Sequence, residues 1–298
     1  MTAENSATPV RWIAVDRGTV LAALGVLGFS FSFPATAWAL DGFGPWTATG
    51  LRGVLAALVA GACLAVGRVP VPERRHWPGV AAVAGGCVIG FPLLTTLALR
   101  TSSTAHSAVV VGLLPLATAV VAAALTGERP SRLFWCGAVA GAVAVAGFTL
   151  QQSHGEPTAA DACLSGALLV CAVGYAAGGR LSRRMPGWQV IAWGVVAALP
   201  ATLATTLLAW PSEPVHLTAR AVAGMAYVAA VSQFGGFVVW YRGMAAVGVA
   251  RASQLQLAQP LVTLAWSVLL MGERVSPAAP LTAVVVLLCI AVTQRARS

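Results

Sequence analysis

Ten apolar stretches, each close to the length needed to cross a lipid bilayer, follow one another along this chain with only short breaks between them. They fall at about 18–38, 46–66, 77–98, 103–125, 132–150, 162–180, 188–209, 219–240, 249–271 and 276–293. A helix needs about 20 predominantly apolar residues to cross the hydrocarbon core, and in lipid each backbone polar group must find an internal partner, which a helix supplies. The breaks carry Arg, Pro and Gly, the residues that end helices or stay in water. Apolar residues make up 58% of the 298 residues and charged residues 9%, against roughly 45–50% and about 25% in soluble domains. A large soluble core is therefore excluded as the main architecture.

A pattern within these stretches occurs twice. Pro115 is followed thirteen residues later by Glu128 in Gly127-Glu128-Arg129, and Pro260 by Glu273 in Gly272-Glu273-Arg274, with 145 residues between the copies (115 to 260). The same shift places Leu114-Pro115-Leu116 on Gln259-Pro260-Leu261, His106 on Arg251 and Gly90 on Gly235. A repeat with an odd number of spans inserts its two copies in opposite orientations. The expected fold is an all-α integral membrane protein of ten transmembrane helices arranged as two inverted five-helix repeats. Its divisions are a cytoplasmic tail at 1–17, a first repeat at 18–150, an extracytoplasmic linker at 151–161, a second repeat at 162–293 and a cytoplasmic tail at 294–298.

The net charge of +9 comes entirely from Arg, since the chain has no Lys. The arginines lie mostly in short connections, which marks them as topology determinants rather than a nucleic-acid surface. With the N-terminus inside, thirteen arginines fall in cytoplasmic segments and only Arg100, Arg220 and Arg274 in outer loops. Both termini are therefore expected on the cytoplasmic side of the cell membrane. The segment from Arg11 through Ala37-Trp38-Ala39 imitates a signal peptide, but removing it would delete the first span of one repeat, so retention is expected. All six cysteines lie in apolar runs without Cys-x-x-Cys or neighbouring His ligands, so neither a disulfide framework nor a metal site is indicated.

The paired endings Leu125-Thr126-Gly127-Glu128-Arg129-Pro130 and Leu270-Met271-Gly272-Glu273-Arg274 carry a resemblance, with Leu51-Arg52-Gly53, Trp240-Tyr241-Arg242 and Ala250-Arg251-Ala252-Ser253. In these features the chain resembles the EamA type of ten-span carriers in the drug/metabolite transporter superfamily, over residues 15–294. The resemblance implies an inner-membrane carrier, usually an exporter or exchanger of small metabolites or drug-like molecules. Where many relatives carry Glu before the ninth-span Pro, this chain has Gln259, which cannot titrate.

The residues themselves suggest where such a carrier would hold its cargo. Arg52 lies six residues after Trp46, about 9 Å into its helix. A guanidinium that deep costs at least about 2.5 kcal/mol if it faces lipid at the midplane, so it should face the bundle interior. There it is either a structural Arg bonded to helix-end carbonyls or an anchor for a substrate carboxylate. Gln256, Gln259, Thr263 and Ser267 form one polar stripe on the ninth span, expected to face inward for the same reason. Ser32 and Thr36 share a face of the first span around Pro34, and Trp193 and Tyr241 are further cavity candidates. Trp188, Trp193, Trp240 and Tyr241 are also expected to supply interface-belt aromatics.

Pro115 and Pro260 free backbone carbonyls and are expected to break their spans near the midplane. Gly127 and Gly272 suit the left-handed residue that ends a helix, and Glu128 and Glu273 should lie near a helix N-terminus or pair with the adjacent Arg. His106 is read as an interfacial, solvated residue, with a proton relay as the alternative. No Gly-x-Ser-x-Gly, His-Glu-x-x-His, Asp-rich or phosphate-loop motif is present, so no enzyme activity and no cofactor are expected. Asp41, Asp161, Glu128 and Glu273 all sit at span ends, which disfavours a cationic cargo.

The expected function is alternating-access export of a small amino-acid-like metabolite that is neutral, zwitterionic or anionic. The alternatives are drug efflux and a non-transporting scaffold or sensor. The expected partners are a small-molecule substrate and the lipid bilayer, with no nucleic acid. Proton or counter-substrate coupling stays open, as does the choice between monomer and homodimer.

Overall fold

The computed structural model describes residues 17–126, 131–152, 156–247 and 255–295, and the statements below concern those residues. Their regular structure is helical, and one isolated antiparallel bridge joins Phe43 to Val215. The helices are α1 (Arg17–Leu40), α2 (Pro45–Val66), α3 (Arg74–Ala98), α4 (Thr104–Leu125), α5 (Arg132–Gln152), α6 (Ala159–Leu181), α7 (Gly187–Ala209), α8 (Ala219–Val247), α9 (Gln259–Met271) and α10 (Ala278–Arg295). The first eight are long and apolar enough to cross a membrane, while α9 and α10 are shorter apolar helices. The eighth span extends seven residues beyond the expected 240, to Val247. The ninth is divided: residues 255–256 are helical, 257–258 form a turn, and α9 starts at Gln259. Gly127, Glu128, Arg129, Pro130 and Arg251 lie outside the described residues.

The helix pairing is that of two opposed repeats. Helix α2 packs on α7, α4 on α9 and α5 on α10, so each of these pairs joins equivalent spans. Helix α1 packs on α8 just as α6 packs on α3. Inside α3 and α8 the winding loosens to a π-helix at equivalent places, Ala84–Gly90 and Val228–Gly235. The breaks in the fourth and ninth spans also correspond, since α4 is interrupted at 112–113 and resumes at Leu114, one residue before Pro115. Pro260 takes the same second position in α9, where its missing N–H costs nothing.

Small residues allow the helices to approach closely, as is common where lipid offers no hydrophobic drive to association. A Cβ at Gly243 would meet the Ala22 backbone, and one at Gly86 the Val170 carbonyl. Trp240 packs against Ala22 and Val26 and is only 8% exposed, so it is a packing residue and not part of an interface belt. Trp188, Trp193 and Tyr241 are likewise packed against the main core. The tryptophans facing outward are Trp46 and Trp210 toward one end of the bundle, and Trp77 and Trp135 toward the other.

At the end carrying the α1–α2 and α7–α8 connections, two carboxylates cap helices from distant parts of the chain. Pro45 has no N–H to satisfy at the start of α2, and the next two donors, Trp46 N and Thr47 N, bond Glu213 at 3.2 and 2.7 Å. In α4 the donors of Thr104 and Ala105 bond Glu273 at 2.7 and 2.9 Å, and His106 N bonds the Ser103 hydroxyl at 3.1 Å. Unpaired N–H groups at a helix start favour such carboxylates. Glu273 is aimed there because Gly272, at φ 66°, reverses the chain at the end of α9. It thus caps a helix of the opposite repeat instead of pairing with Arg274. Glu273→Ala should destabilise the purified protein by about 1–2 kcal/mol, seen as a lower thermal unfolding midpoint in detergent, while Arg274→Ala leaves the midpoint unchanged.

Candidate functional site

The first span is broken in its middle, and the break gathers the polar residues of the bundle interior. Its helix runs Arg17–Ser30 and resumes at Ser32–Leu40 after a turn at Phe31. Pro34 has no N–H, so it cannot bond the Ser30 carbonyl one turn back. Thr263 of α9 occupies that vacancy, its hydroxyl lying 2.9 Å from the Ser30 carbonyl and 3.0 Å from that of Gln259. The Trp266 indole donates to the Ser30 hydroxyl at 3.0 Å, and the Tyr227 hydroxyl donates to the Gly28 carbonyl at 2.9 Å. The Phe31 ring meets Trp38, Tyr227 and Trp266 edge-on, with centroids 5.1, 4.9 and 5.9 Å away. Helices α8 and α9 together therefore hold the break open.

Arg52 reaches this region from α2. It is 7% exposed, and its Nη2 lies 3.4 Å from the Ser232 hydroxyl in the π-helical part of α8. Ser232 donates in turn to the Ser32 hydroxyl at 2.8 Å, and the Thr36 hydroxyl donates to the Ser32 carbonyl at 2.8 Å. The Arg52 Nε is buried and has no hydrogen-bond partner among the described residues. No described carboxylate lies within ion-pair distance of it. A guanidinium has five donors, and here a single long hydrogen bond to a hydroxyl engages them. Of the two readings open from sequence, an Arg bonded to helix-end carbonyls does not describe these contacts.

The structure brings Arg52, Ser32, Thr36 and Thr263 together and leaves other candidates elsewhere. Ser267 is fully buried on the same face of α9 as Thr263, but its hydroxyl bonds back to the Leu264 carbonyl. Gln256 and Gln259 are half-buried, a turn or two from Thr263. Trp193 and Tyr241 pack into the main apolar core, with Tyr241 stacked on Phe237 and pressed against Gly187. Pro115 follows the turn in α4, where Gly112 approaches the Pro260 ring. His106 is not solvated: its Nε2 lies 2.7 Å from Asp161 Oδ1, and its ring stacks on Phe148. Asp161 also forms a reciprocal capping box with Thr158 at the start of α6.

Ser232, Tyr227 and Trp266 belong to the site although they stand outside the residues expected from sequence. Their signal was available in part, because Ser232-Gln233 is the one adjacent polar pair within the apolar run of α8. Ser232 also lies 145 residues after Cys87 (87 to 232), at the same place in the other π-helical segment. There the thiol sits 3.9 Å from the Cys171 carbonyl, so the equivalent position packs against α6.

These features define an all-helical membrane protein of two opposed five-span units with one polar, cationic centre. The chain belongs to the EamA-like transporter family, whose model matches residues 16–150 and 159–294. It is 42% identical over 272 residues to the uncharacterized transporter YdeK of Bacillus subtilis (strain 168), covering 91% of this chain and 95% of that one. A solved crystal structure, 21% identical, has the same fold, with a TM-score of 0.65 over 94% of this chain and 97% of its own.

Ser232→Ala should leave folding intact but remove the hydroxyl nearest to Arg52. We expect the apparent KM of the reconstituted carrier to rise about 10-fold, with little change in the thermal midpoint.

Proposed function

We propose that this chain exports a small carboxylate-bearing metabolite, amino-acid-like and zwitterionic or anionic, across the cytoplasmic membrane by alternating access. The observation that carries this reading is Arg52, a buried guanidinium with an unpartnered Nε and no described carboxylate beside it. An isolated charge in a medium of low dielectric is costly, and a substrate carboxylate would neutralise it through bidentate hydrogen bonds. Ser32, Ser232 and Thr36 offer hydroxyls to the rest of the ligand, and the break at Phe31 provides the place where helices part.

Arg52 is almost fully buried, so a ligand reaches it only when helices separate. Rocking of the two opposed repeats supplies such a motion. The bias of arginines toward one set of connections supports a topology with both termini in the cytoplasm. Cationic drug efflux fits less well, because the described carboxylates sit at helix ends and not in mid-span.

The test is metabolite profiling of the medium from cells overproducing the protein, with Arg52→Ala as the control. A carboxylate-bearing compound should accumulate outside only with the native chain. Accumulation of a cationic compound, or an identical profile from the Arg52→Ala cells, would contradict the proposal.

A further inference from the structure

A groove of about 340 Å3 opens at the end of the bundle opposite the capped helix starts, well away from Arg52. It lies between the beginning of α3 and the end of α6, lined by Arg75, His76 and Gly79 on one side and Arg180, Leu181 and Arg184 on the other. Its volume is at the small end of the roughly 300–1,000 Å3 typical of ligand pockets. The charge is one-sided. Glu73 is the acid paired there, held by Arg75 through bonds of 2.8 and 3.1 Å. Arg180 and Arg184 are exposed, and neither has an acidic partner among the described residues.

Placement decides what such a groove would take. Arg180 falls in the last turn of an apolar helix, and Trp77, 37% exposed, begins the apolar part of α3 next to His76 in the chain. Both residues therefore lie at headgroup level, where aromatic rings and arginines settle. Seven and eleven residues before Arg180, on the same face of α6, Val173 and Leu169 point outward, 43% and 62% exposed. A cationic recess thus continues into an apolar stripe facing lipid. The floor is apolar as well, since Gly79 lies against the buried Leu181 side chain.

We infer that this groove binds the phosphate of an anionic phospholipid, with the headgroup between Arg75, Arg180 and Arg184 and an acyl chain along Val173 and Leu169. Arginine clusters match phosphate oxygens in pairs, and basic pockets between membrane helices suit anionic headgroups. The bound lipid would bridge α3 to α6, the pair equivalent to α8 and α1 in the other half. The inference is independent of the cargo assigned to Arg52.

The test uses the full-length protein in nanodiscs of phosphatidylcholine with about one-fifth phosphatidylglycerol, followed by native mass spectrometry of the lipid retained on release. The native chain should keep phosphatidylglycerol in preference to phosphatidylcholine. In Arg180→Gln/Arg184→Gln that preference should fall about 30-fold, from roughly 1 kcal/mol per arginine near the headgroups. Arg68→Gln/Arg132→Gln removes two exposed charges from the same end outside the groove and should keep the preference. Equal retention by the groove variant and the native chain would overturn the inference. So would equal loss in both double variants, which would mean that net charge alone attracts the lipid. A third arm adds glycerol phosphate. If it displaces the lipid at millimolar concentration, the occupant is a soluble phosphate ester and the assignment to a lipid fails.

Discussion

A guanidinium held inside an apolar bundle with no described carboxylate beside it sets the terms for the rest of this molecule. Arg52 is desolvated by α2 and α8, and the contact nearest to it is a hydroxyl at 3.4 Å. Removing the hydration of a charge costs several kcal/mol unless hydrogen bonds or a counter-ion replace it. The surroundings replace it only in part, with a chain of hydroxyls through Ser232 and Ser32. The same neighbourhood contains a helix break whose freed carbonyl is held by Thr263. Incomplete compensation of the charge and incomplete winding of the helix thus coincide at one place in the bundle.

The scaffold around that site is close to symmetric, whereas the site is not. Both π-helical segments, both Pro-marked breaks and the reciprocal helix pairs obey the duplication. Yet the place occupied by Ser232 in one half holds Cys87 in the other, and α7, the counterpart of α2, has no charged residue. Symmetric architecture permits two equivalent arrangements of the helices. Under the proposed alternating access, one polar cluster would serve both. Glu213 and Glu273 join the halves at one end by capping helices of the first repeat from loops of the second, so any rearrangement there must break charge-assisted hydrogen bonds.

Much of this was legible in the sequence because hydropathy and proline act locally. The spans were readable from their apolar length, and the breaks before Pro115 and Pro260 from the missing N–H. What could not be read depends on distant residues. Ser232 meets Arg52 across 180 positions, and His106 finds Asp161 across 55. A solvated His106 was a fair reading of its own segment and fails only once α6 is placed beside α4. Trp240 shows a second limit. In helices apolar on nearly every side, no periodic pattern tells a lipid-facing ring such as Trp210 from a packed one such as Trp240. Glu213 gave no local signal at all, because a cap is recognisable only beside the helix that it closes.

The central claim, that Arg52 awaits a carboxylate, is tested most directly by pairing ligand and protein changes in one cycle. Binding of the exported acid and of its methyl ester is measured by calorimetry on the purified native chain and on Arg52→Gln. The account predicts that the native chain prefers the acid by about 10-fold or more, and that Arg52→Gln binds acid and ester alike. An unchanged preference for the acid in Arg52→Gln would place the carboxylate elsewhere and leave Arg52 a structural residue.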